Sequence, residues 1–507
     1  MRLDALLPDG LLTANILPPP IAETLICGLT ADSRAVMPGY LFAALSGIQQ
    51  DGRQFVGQAI ERGAAAVLAT EKACKDIKLS EDMQLDVPII CAANPRRAFA
   101  QMAGRFFEQQ PDIVACVTGT NGKTSTVNYL RQLWQSQGYV AASLGTLGVE
   151  GQCAKTQHIA WPLQLTTPEP VTLHATMRDL AAHQISHLAV EASSHGLAQY
   201  RLDGTRIMLA GFTNLSRDHF DYHADEKTYL AAKQRLFTEL LDEEGTAVIC
   251  VAQAAGQQIA KATSATGRRV FTTGTPKADL VIMAGTQHIQ GQSFTATYQR
   301  NNYKFTAPLI GSFQAQNLEV AFGIALANGA DIEALCAASS NLVGARGRMQ
   351  YIGMSEKGAA IYVDYAHTPD ALYHALMALR AHNETDSETD NLHIIFGCGG
   401  DRDRGKRKQM GAVAAQLCAH IYVTDDNPRT ENPAAIRAEI MAACPQAHDI
   451  GQRAEAIATA IKAAENGDII LIAGKGHEQG QIINDEILPF DDAEMATKLI
   501  ANNGAGA

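Results

Sequence analysis

The segment that most limits how this chain can fold is residues 112–125, Asp-Ile-Val-Ala-Cys-Val-Thr-Gly-Thr-Asn-Gly-Lys-Thr-Ser. Ile113 to Val117 are apolar and rich in β-branched residues, the character of a buried strand, whereas Val127, Leu130, Leu133 and Trp134 recur at helical spacing. Gly119 to Lys123 must therefore turn a strand directly into a helix. Backbone N–H groups and the positive end of the helix dipole converge on such a turn, and glycine lets an anion approach closely. The pattern predicts a nucleotide triphosphate cradle in which Lys123 reaches the β and γ phosphates and Thr124 ligates magnesium. Val117 stands where the usual P-loop has its first glycine, so this is a short form, Gly119-Thr120-Asn121-Gly122-Lys123-Thr124. The competing reading is an ordinary glycine turn entering a helix, and the flanking strand and amphipathic helix weigh against it.

A chain of 507 residues, 46% of them hydrophobic and 19% charged, can bury several cores, and three domains are expected. The 41 Lys+Arg and 53 Asp+Glu leave a net charge of −12, which argues against a general nucleic-acid or anionic-membrane binder. Ten scattered cysteines without a CxxC pair read as free, buried thiols in a reducing compartment. The start, Met1-Arg2-Leu3-Asp4, lacks a basic-then-apolar signal, and no apolar run approaches the roughly 18 residues of a membrane span. The expectation is a cytoplasmic protein, monomeric, with no membrane span and no nucleic-acid partner.

Along the chain, residues 1–108 form a small mixed α/β unit in which Asp32-Ser33-Arg34 and the glycine-bounded loop Ser46 to Gly52 stand out, although each alone reads as an ordinary loop. Gln110-Pro111 breaks the chain before the nucleotide strand, and 109–344 make a central unit. Within it, Leu165-Thr166-Thr167-Pro168-Glu169 leads into a helix, for which a simple N-cap would suffice. A strand from His187 to Val190 ends in Glu191-Ala192-Ser193-Ser194-His195-Gly196, and another from Ile207 to Phe212 ends in Thr213-Asn214-Leu215-Ser216-Arg217-Asp218-His219. Ligands of open α/β sheets bind at such carboxyl ends, so one site built from three loops is expected, with Glu191 and His219 as magnesium ligands. Residues 279–298 suggest a small antiparallel section, and a helix after Gly311-Ser312-Phe313 carries Asn317. From 345 to 507, strands ending in Asp364, Gly397, Asp425 and Gly474 alternate with helices, which predicts a parallel Rossmann-like domain. Arg402, Asp426, Asn427, Arg429 and Glu478 would line one pocket of both charges, suited to a zwitterion such as an amino acid.

Five motifs in order, Thr118 to Thr124, Glu191 to Gly196, Thr213 to His219, Asp364-Tyr365-Ala366-His367-Thr368-Pro369 and Gly399-Gly400-Asp401-Arg402-Asp403, resemble those of the Mur ligases. The resemblance covers essentially the whole chain. It implies three domains: an N-terminal one for a uridine nucleotide, a central P-loop ATPase with a mostly parallel sheet, and a C-terminal Rossmann-like one for the incoming amino acid. It also implies contacts of Ser33, Ile48, Gln49 and Gln50 with a UDP-sugar, and of Thr166, Thr167, Ser193, Gln199 and Arg201 with its sugar and peptide portion. Gly119, Thr120, Asn121, Gly122, Lys123, Thr124 and Ser125 would bind ATP, with Asn317, Arg348 and Asp364 approaching it. Lys233 falls on the family's carbamylated lysine, N6-carboxylysine, which supports magnesium together with Thr124, Glu191 and His219.

The resemblance further implies which amino acid is added. Asp426-Asn427-Pro428-Arg429 is the pattern associated with meso-2,6-diaminopimelate, and Arg402, Gly474 and Glu478 match its other contacts. A guanidinium at Arg429 can pair bidentately with the distal carboxylate that lysine lacks. The implied reaction is ATP-driven amide ligation onto a UDP-N-acetylmuramoyl-dipeptide through an acyl phosphate, with Lys123, Lys233, His219 and Glu191 as the catalytic set. Leu165, Gln314 and Gln350 depart from the family pattern, where asparagine, asparagine and glutamate are usual. Three alternatives are an L-lysine-adding ligase, a folylpolyglutamate synthetase, and a nucleotide-binding protein without ligase activity, the last of which predicts loss of Lys123, Glu191 or His219.

Overall fold

The computed structural model describes residues 1–14, 18–47, 51–79, 87–153, 158–216, 222–223, 225–288, 290–381 and 391–504. Ile48, Gln49, Gln50 and His219, named above for the UDP-sugar and for magnesium, lie outside the described residues. The chain divides into two compact units, Met1–Ala278 with Gly323–Gly329, and Asp279–Phe322 with Ala330–Ala507.

In the first unit, four parallel strands, Gly28–Thr30, Tyr40–Ala43, Ala66–Thr70 and Ile89–Ala92, pair in chain order. Helix Pro95–Phe107 starts on an Asn94 cap and a first-turn proline, and packs Phe99, Met102 and Ala103 into the core with Leu3, Leu29 and Leu68. Cys74 and Cys91 form a disulfide. This corrects the expectation that all ten thiols are free, and Cys27, free but exposed, corrects the expectation that all are buried. Strand Ala66–Thr70 runs straight into the helix bearing Cys74 and pairs with the strand bearing Cys91, so the fold itself brings the two together.

The same unit holds a larger sheet ordered Arg269–Thr273, Leu241–Cys250, Ile207–Phe212, Ile113–Thr118, His187–Glu191, Ala141–Gly145, Gly148–Gln152 and His158–Trp161. The first six are parallel and the last two pair antiparallel. Ile113–Thr118 therefore has neighbours on both sides, which explains its unbroken apolar run. Helix Lys123–Ser136 buries Val127, Tyr129, Leu130, Leu133 and Trp134. Each such side chain contributes about 1.5 to 3 kcal/mol, enough to hold the helix start rigidly at the strand end.

In the second unit, Leu280–His288, Gly291–Tyr298 and Asn301–Ala307 form the expected antiparallel section. A six-stranded sheet follows, ordered Gln350–Met354, Ala360–Asp364, Ile469–Ala473, Leu392–Phe396, His420–Val423 and His448–Asp449. Only its first pair is antiparallel. Among the described residues no helix is long and apolar enough to cross a membrane.

Candidate active site

In the first unit the phosphate loop is held from both sides. Gly122 caps the helix in the left-handed region, φ 85°, and a side chain at Gly119 would meet Thr213 Oγ1 at 1.9 Å. The loop is tied to the neighbouring strand end. Thr120 N donates to Asn214 O at 2.9 Å, Asn121 N to Asn214 Oδ1 at 3.0 Å, and Thr213 Oγ1 to Asn121 O at 2.7 Å. Lys123 Nζ lies over the loop, donating to Gly119 O at 2.9 Å and Thr120 O at 2.8 Å. The ammonium thus folds back onto the loop's own carbonyls, at the start of the helix.

Glu191 closes the next strand and is 1% exposed. Its Oε2 accepts from Thr124 Oγ1 at 2.9 Å and Thr146 Oγ1 at 3.2 Å, and its Oε1 from Thr146 N at 2.8 Å. A side chain at Gly145 would run into the Glu191 carboxylate and displace it. A buried carboxylate beside two hydroxyls is a hard-oxygen donor set that suits magnesium. Among the described residues no three His, Cys, Asp or Glu cluster as a ready metal cage. Such a partial set is what an ion shared with substrate phosphates needs.

Lys233, on helix Glu226–Arg235, is also 1% exposed. Its Nζ donates to Gly119 O at 2.8 Å and lies 4.3 Å from the centroid of the Tyr229 ring, whose hydroxyl sits 3.1 Å from Thr120 Oγ1. A carbamate on Nζ would keep one N–H, sufficient for the bond to Gly119 O.

Of the residues expected at the sugar and peptide portion, the structure gathers Thr166, Thr167, Ser193, Gln199 and Arg201 around this strand end. Thr167 Oγ1 donates to Glu191 O at 2.7 Å and accepts from Ser193 N at 2.9 Å. Arg201 donates to Thr167 O at 2.8 Å and Gln199 Oε1 at 2.8 Å, and pairs with Glu169 at 2.7 Å. Thr166 Oγ1 is 3.1 Å from Thr146 Oγ1. Thr167, fully buried, is a brace of the loop. Ser33 sits apart on a short turn and donates to Gln58 Oε1 at 2.8 Å.

In the second unit, Asn317 donates to Gln314 Oε1 at 3.0 Å, so the departing glutamine is spent on an internal contact. Gln350 Oε1 accepts from Gly347 N at 2.8 Å, a bond that a glutamate would also make. Asp364 accepts from Met349 N at 2.7 Å and Ala366 N at 2.8 Å. Burial pushes its carboxyl up, against the pull of Arg348 and these amides. The Arg348 guanidinium stacks 4.6 Å from the Tyr365 ring centroid.

The residues expected to line the amino-acid pocket follow the ends of three parallel strands of this unit. Arg429 has φ 50°, a left-handed conformation that costs a non-glycine residue about 1 to 3 kcal/mol. It is held there by Arg429 N donating to Ile482 O at 3.0 Å and Asn484 N donating to Arg429 O at 2.8 Å. Nη1 donates to Gly400 O at 2.9 Å, while Nε and Nη2 make no hydrogen bond among the described residues. Asp401 and Glu431 lock the two loops together through Thr430 Oγ1 to Asp401 Oδ1 at 2.8 Å and Asp401 N to Glu431 Oε1 at 2.6 Å. Glu431 is in turn gripped by the buried Arg407. Arg402 is exposed and makes no hydrogen bond or ion pair among the described residues. Pro428 is buried beneath the loop. Gly474, φ 110°, brings its backbone against Asp426, where a side chain would meet Oδ2 at 2.8 Å.

Sequence reasoning missed Thr146, Gly145, Arg407 and Lys475. Lys475 is fully buried and bonds Asn427 and Glu478. Its place between Gly474 and Glu478 was the one available signal. Thr146 follows a strand, Ala141–Gly145, that the sequence reading did not resolve.

Three family models match in order: "Mur ligase family, catalytic domain" over residues 25–107, "Mur ligase middle domain" over 117–325, and "Mur ligase, glutamate ligase domain" over 347–476. A relative from Zymomonas mobilis, named UDP-N-acetylmuramoyl-L-alanyl-D-glutamate–2,6-diaminopimelate ligase, is 45% identical over 479 residues, covering 94% of this chain and 95% of its own. A solved structure with the same name is 32% identical with a TM-score of 0.71, covering 99% of both chains. A folylpolyglutamate synthase from Mycobacterium tuberculosis complexed with ADP shares the fold at 17% identity and a TM-score of 0.60, covering 81% of this chain and 94% of its own.

Proposed function

The chain belongs to the Mur ligase family, and from that premise we propose that it is the ATP-dependent ligase that adds meso-2,6-diaminopimelate to UDP-N-acetylmuramoyl-L-alanyl-D-glutamate in peptidoglycan synthesis. The observation that carries the substrate choice is Arg429, held in a strained backbone conformation with Nε and Nη2 uncommitted. Strain of this kind persists where the surroundings over-determine it, and its use here is to aim a guanidinium at a carboxylate. Asp426, Asn427, Arg402, Gly474 and Glu478 supply the remaining contacts of a ligand bearing two ammonium and two carboxylate groups.

Residues 1–108 take the UDP portion, 109–344 the ATP and 345–507 the amino acid in this reading. In the phosphate loop Gly119 to Ser125, the amides from Gly122 onward and the Lys123 ammonium hold the phosphates, which lets an anionic nucleophile approach them. The D-glutamate γ-carboxylate attacks the γ-phosphate, ADP leaves, and the acyl phosphate is then attacked by the diaminopimelate amine. Phosphate departs, the amine loses a proton and the amide remains. Positioning and charge neutralisation do most of the work, since two anions must meet before any bond forms. Magnesium would be held by Thr124 and Glu191, joined in the family's pattern by His219 and carbamylated Lys233, and supplies part of that neutralisation. The family resemblance assigns Asn317, Arg348 and Asp364 to the nucleotide, and Thr166, Thr167, Ser193, Gln199, Arg201 and Ser33 to the UDP-peptide. A cytoplasmic monomer is part of the same reading.

The test is phosphate release by purified protein with ATP, magnesium and UDP-N-acetylmuramoyl-L-alanyl-D-glutamate, comparing meso-diaminopimelate with L-lysine. Diaminopimelate-dependent release together with the tripeptide mass is expected. Preference for L-lysine would overturn the substrate assignment.

A further inference from the structure

Lys475 is 0% exposed, and its Nζ donates to Asn427 Oδ1 at 3.2 Å, Glu478 Oε2 at 3.0 Å and Gly480 O at 2.6 Å. Three acceptors use all three ammonium hydrogens, and such complete satisfaction is what makes a buried lysine tolerable. We infer that Lys475 is a positioning residue that sets the donor and acceptor pattern of the amino-acid pocket through Asn427 and Glu478.

The orientation of Asn427 follows from its partners. Oδ1 faces two donors, Lys475 Nζ and Ile482 N at 2.9 Å, so a flipped amide would face donors with a donor. Nδ2 must then point to Glu478, where it donates to Oε2 at 2.8 Å. Glu478 Oε2 is thereby occupied twice, by Lys475 and by Asn427. Its Oε1 makes no hydrogen bond among the described residues, and the side chain is 34% exposed. That oxygen is the one offered to the ammonium end of the incoming amino acid. Asp426 adds a second carboxylate beside Gly474, and its backbone oxygen accepts from Gln481 Nε2 at 2.7 Å. The cation of Lys475 offsets the Glu478 carboxylate, whose second oxygen stays available to the ligand. Gly480 O, the third acceptor, ties the same ammonium to strand Gly480–Ile483, which also holds the Arg429 backbone.

This inference rests on the diaminopimelate reading, and its test separates the two. In Lys475→Met, which keeps length and removes charge, KM for diaminopimelate is expected to rise about tenfold or more, with kcat at saturation within about threefold. KM for ATP and for the UDP-dipeptide should stay within about twofold. Because Lys475 acts through Glu478, Lys475→Met/Glu478→Gln should raise KM little beyond the worse single variant, the non-additivity expected of neighbours in one network. If Lys475→Met does not fold, Lys475→Gln, which retains donors without charge, is measured in the same way. An unmoved diaminopimelate KM, equal rises for all three substrates, strictly additive effects, or failure of both variants to fold would each overturn the inference. Wild-type protein inactive with diaminopimelate would instead overturn the reading beneath it.

Discussion

Thr124 Oγ1 donates to Glu191 Oε2 at 2.9 Å, joining the first turn of the phosphate-loop helix to the end of a strand 67 residues later. The bond sets a hydroxyl and a carboxylate side by side at the carboxyl edge of the sheet. Glu191→Gln keeps the shape and removes the charge, so kcat is expected to fall roughly 100-fold or more. Nucleotide binding measured calorimetrically without magnesium should change little, whereas its strengthening by magnesium should be lost. Unchanged turnover would show that the carboxylate is not required.

Lys233 reaches Gly119 O across 114 residues of sequence, so its substitution disturbs the loop even before any question of modification. Lys233→Ala should lower kcat by roughly 100-fold, comparable to removing a preorganised charge from an active site. Protein equilibrated with ¹³C-bicarbonate should give a carbamate resonance that Lys233→Ala lacks. A wild-type spectrum without that resonance would remove carbamylation from the mechanism while leaving the loop contact intact.

Arg429→Ala removes the guanidinium and its bond to Gly400 O. Loss of a charge-assisted contact of about 1.5 to 3 kcal/mol corresponds to a rise in diaminopimelate KM of roughly 10- to 150-fold. Any turnover of L-lysine should be affected far less, because lysine has no distal carboxylate. Steady-state kinetics with both amino acids distinguish this outcome from a general collapse of the pocket.

Glu431 carries a pH dependence. The Arg407 guanidinium, with the Asp401 N–H, holds its carboxyl down from 4.5 to about 2. As pH falls, the unfolded chain takes up this proton first. The stabilisation from Glu431 is therefore complete above about pH 4.5 and is lost between there and about pH 2. Urea unfolding of Glu431→Gln across that window should show a flatter stability profile than wild type. Parallel profiles would mean that other carboxylates govern the acid limb.

The sequence carried what is local. A β-branched run, two glycines and an amphipathic repeat specify strand, turn and helix at 113–136 because backbone preference and hydrophobic periodicity act within a few residues. Leu392–Phe396 and Ile207–Phe212 were legible for the same reason, whereas Arg429 was singled out through the family pattern Asp426-Asn427-Pro428-Arg429, with which guanidinium chemistry is consistent. Strands 141–145, 148–152 and 158–161 were not legible, being short and rich in glycine, alanine and polar residues, so their pairing rather than their composition makes them strands.

What only the tertiary structure decided is which distant groups share a proton or a charge. Nothing local distinguishes Arg407 from the solvated arginines around it, and Lys475 is marked only by its place between Gly474 and Glu478, yet both are buried, each bonded to at least two acceptors. Thr146 became a partner of Glu191 only because parallel pairing aligns Ala141–Gly145 with His187–Glu191 and ends both strands at one edge. The physical reason is range: conformational preference is written residue by residue, whereas the desolvation that turns a polar side chain into a site is set by whatever the sheet order brings against it.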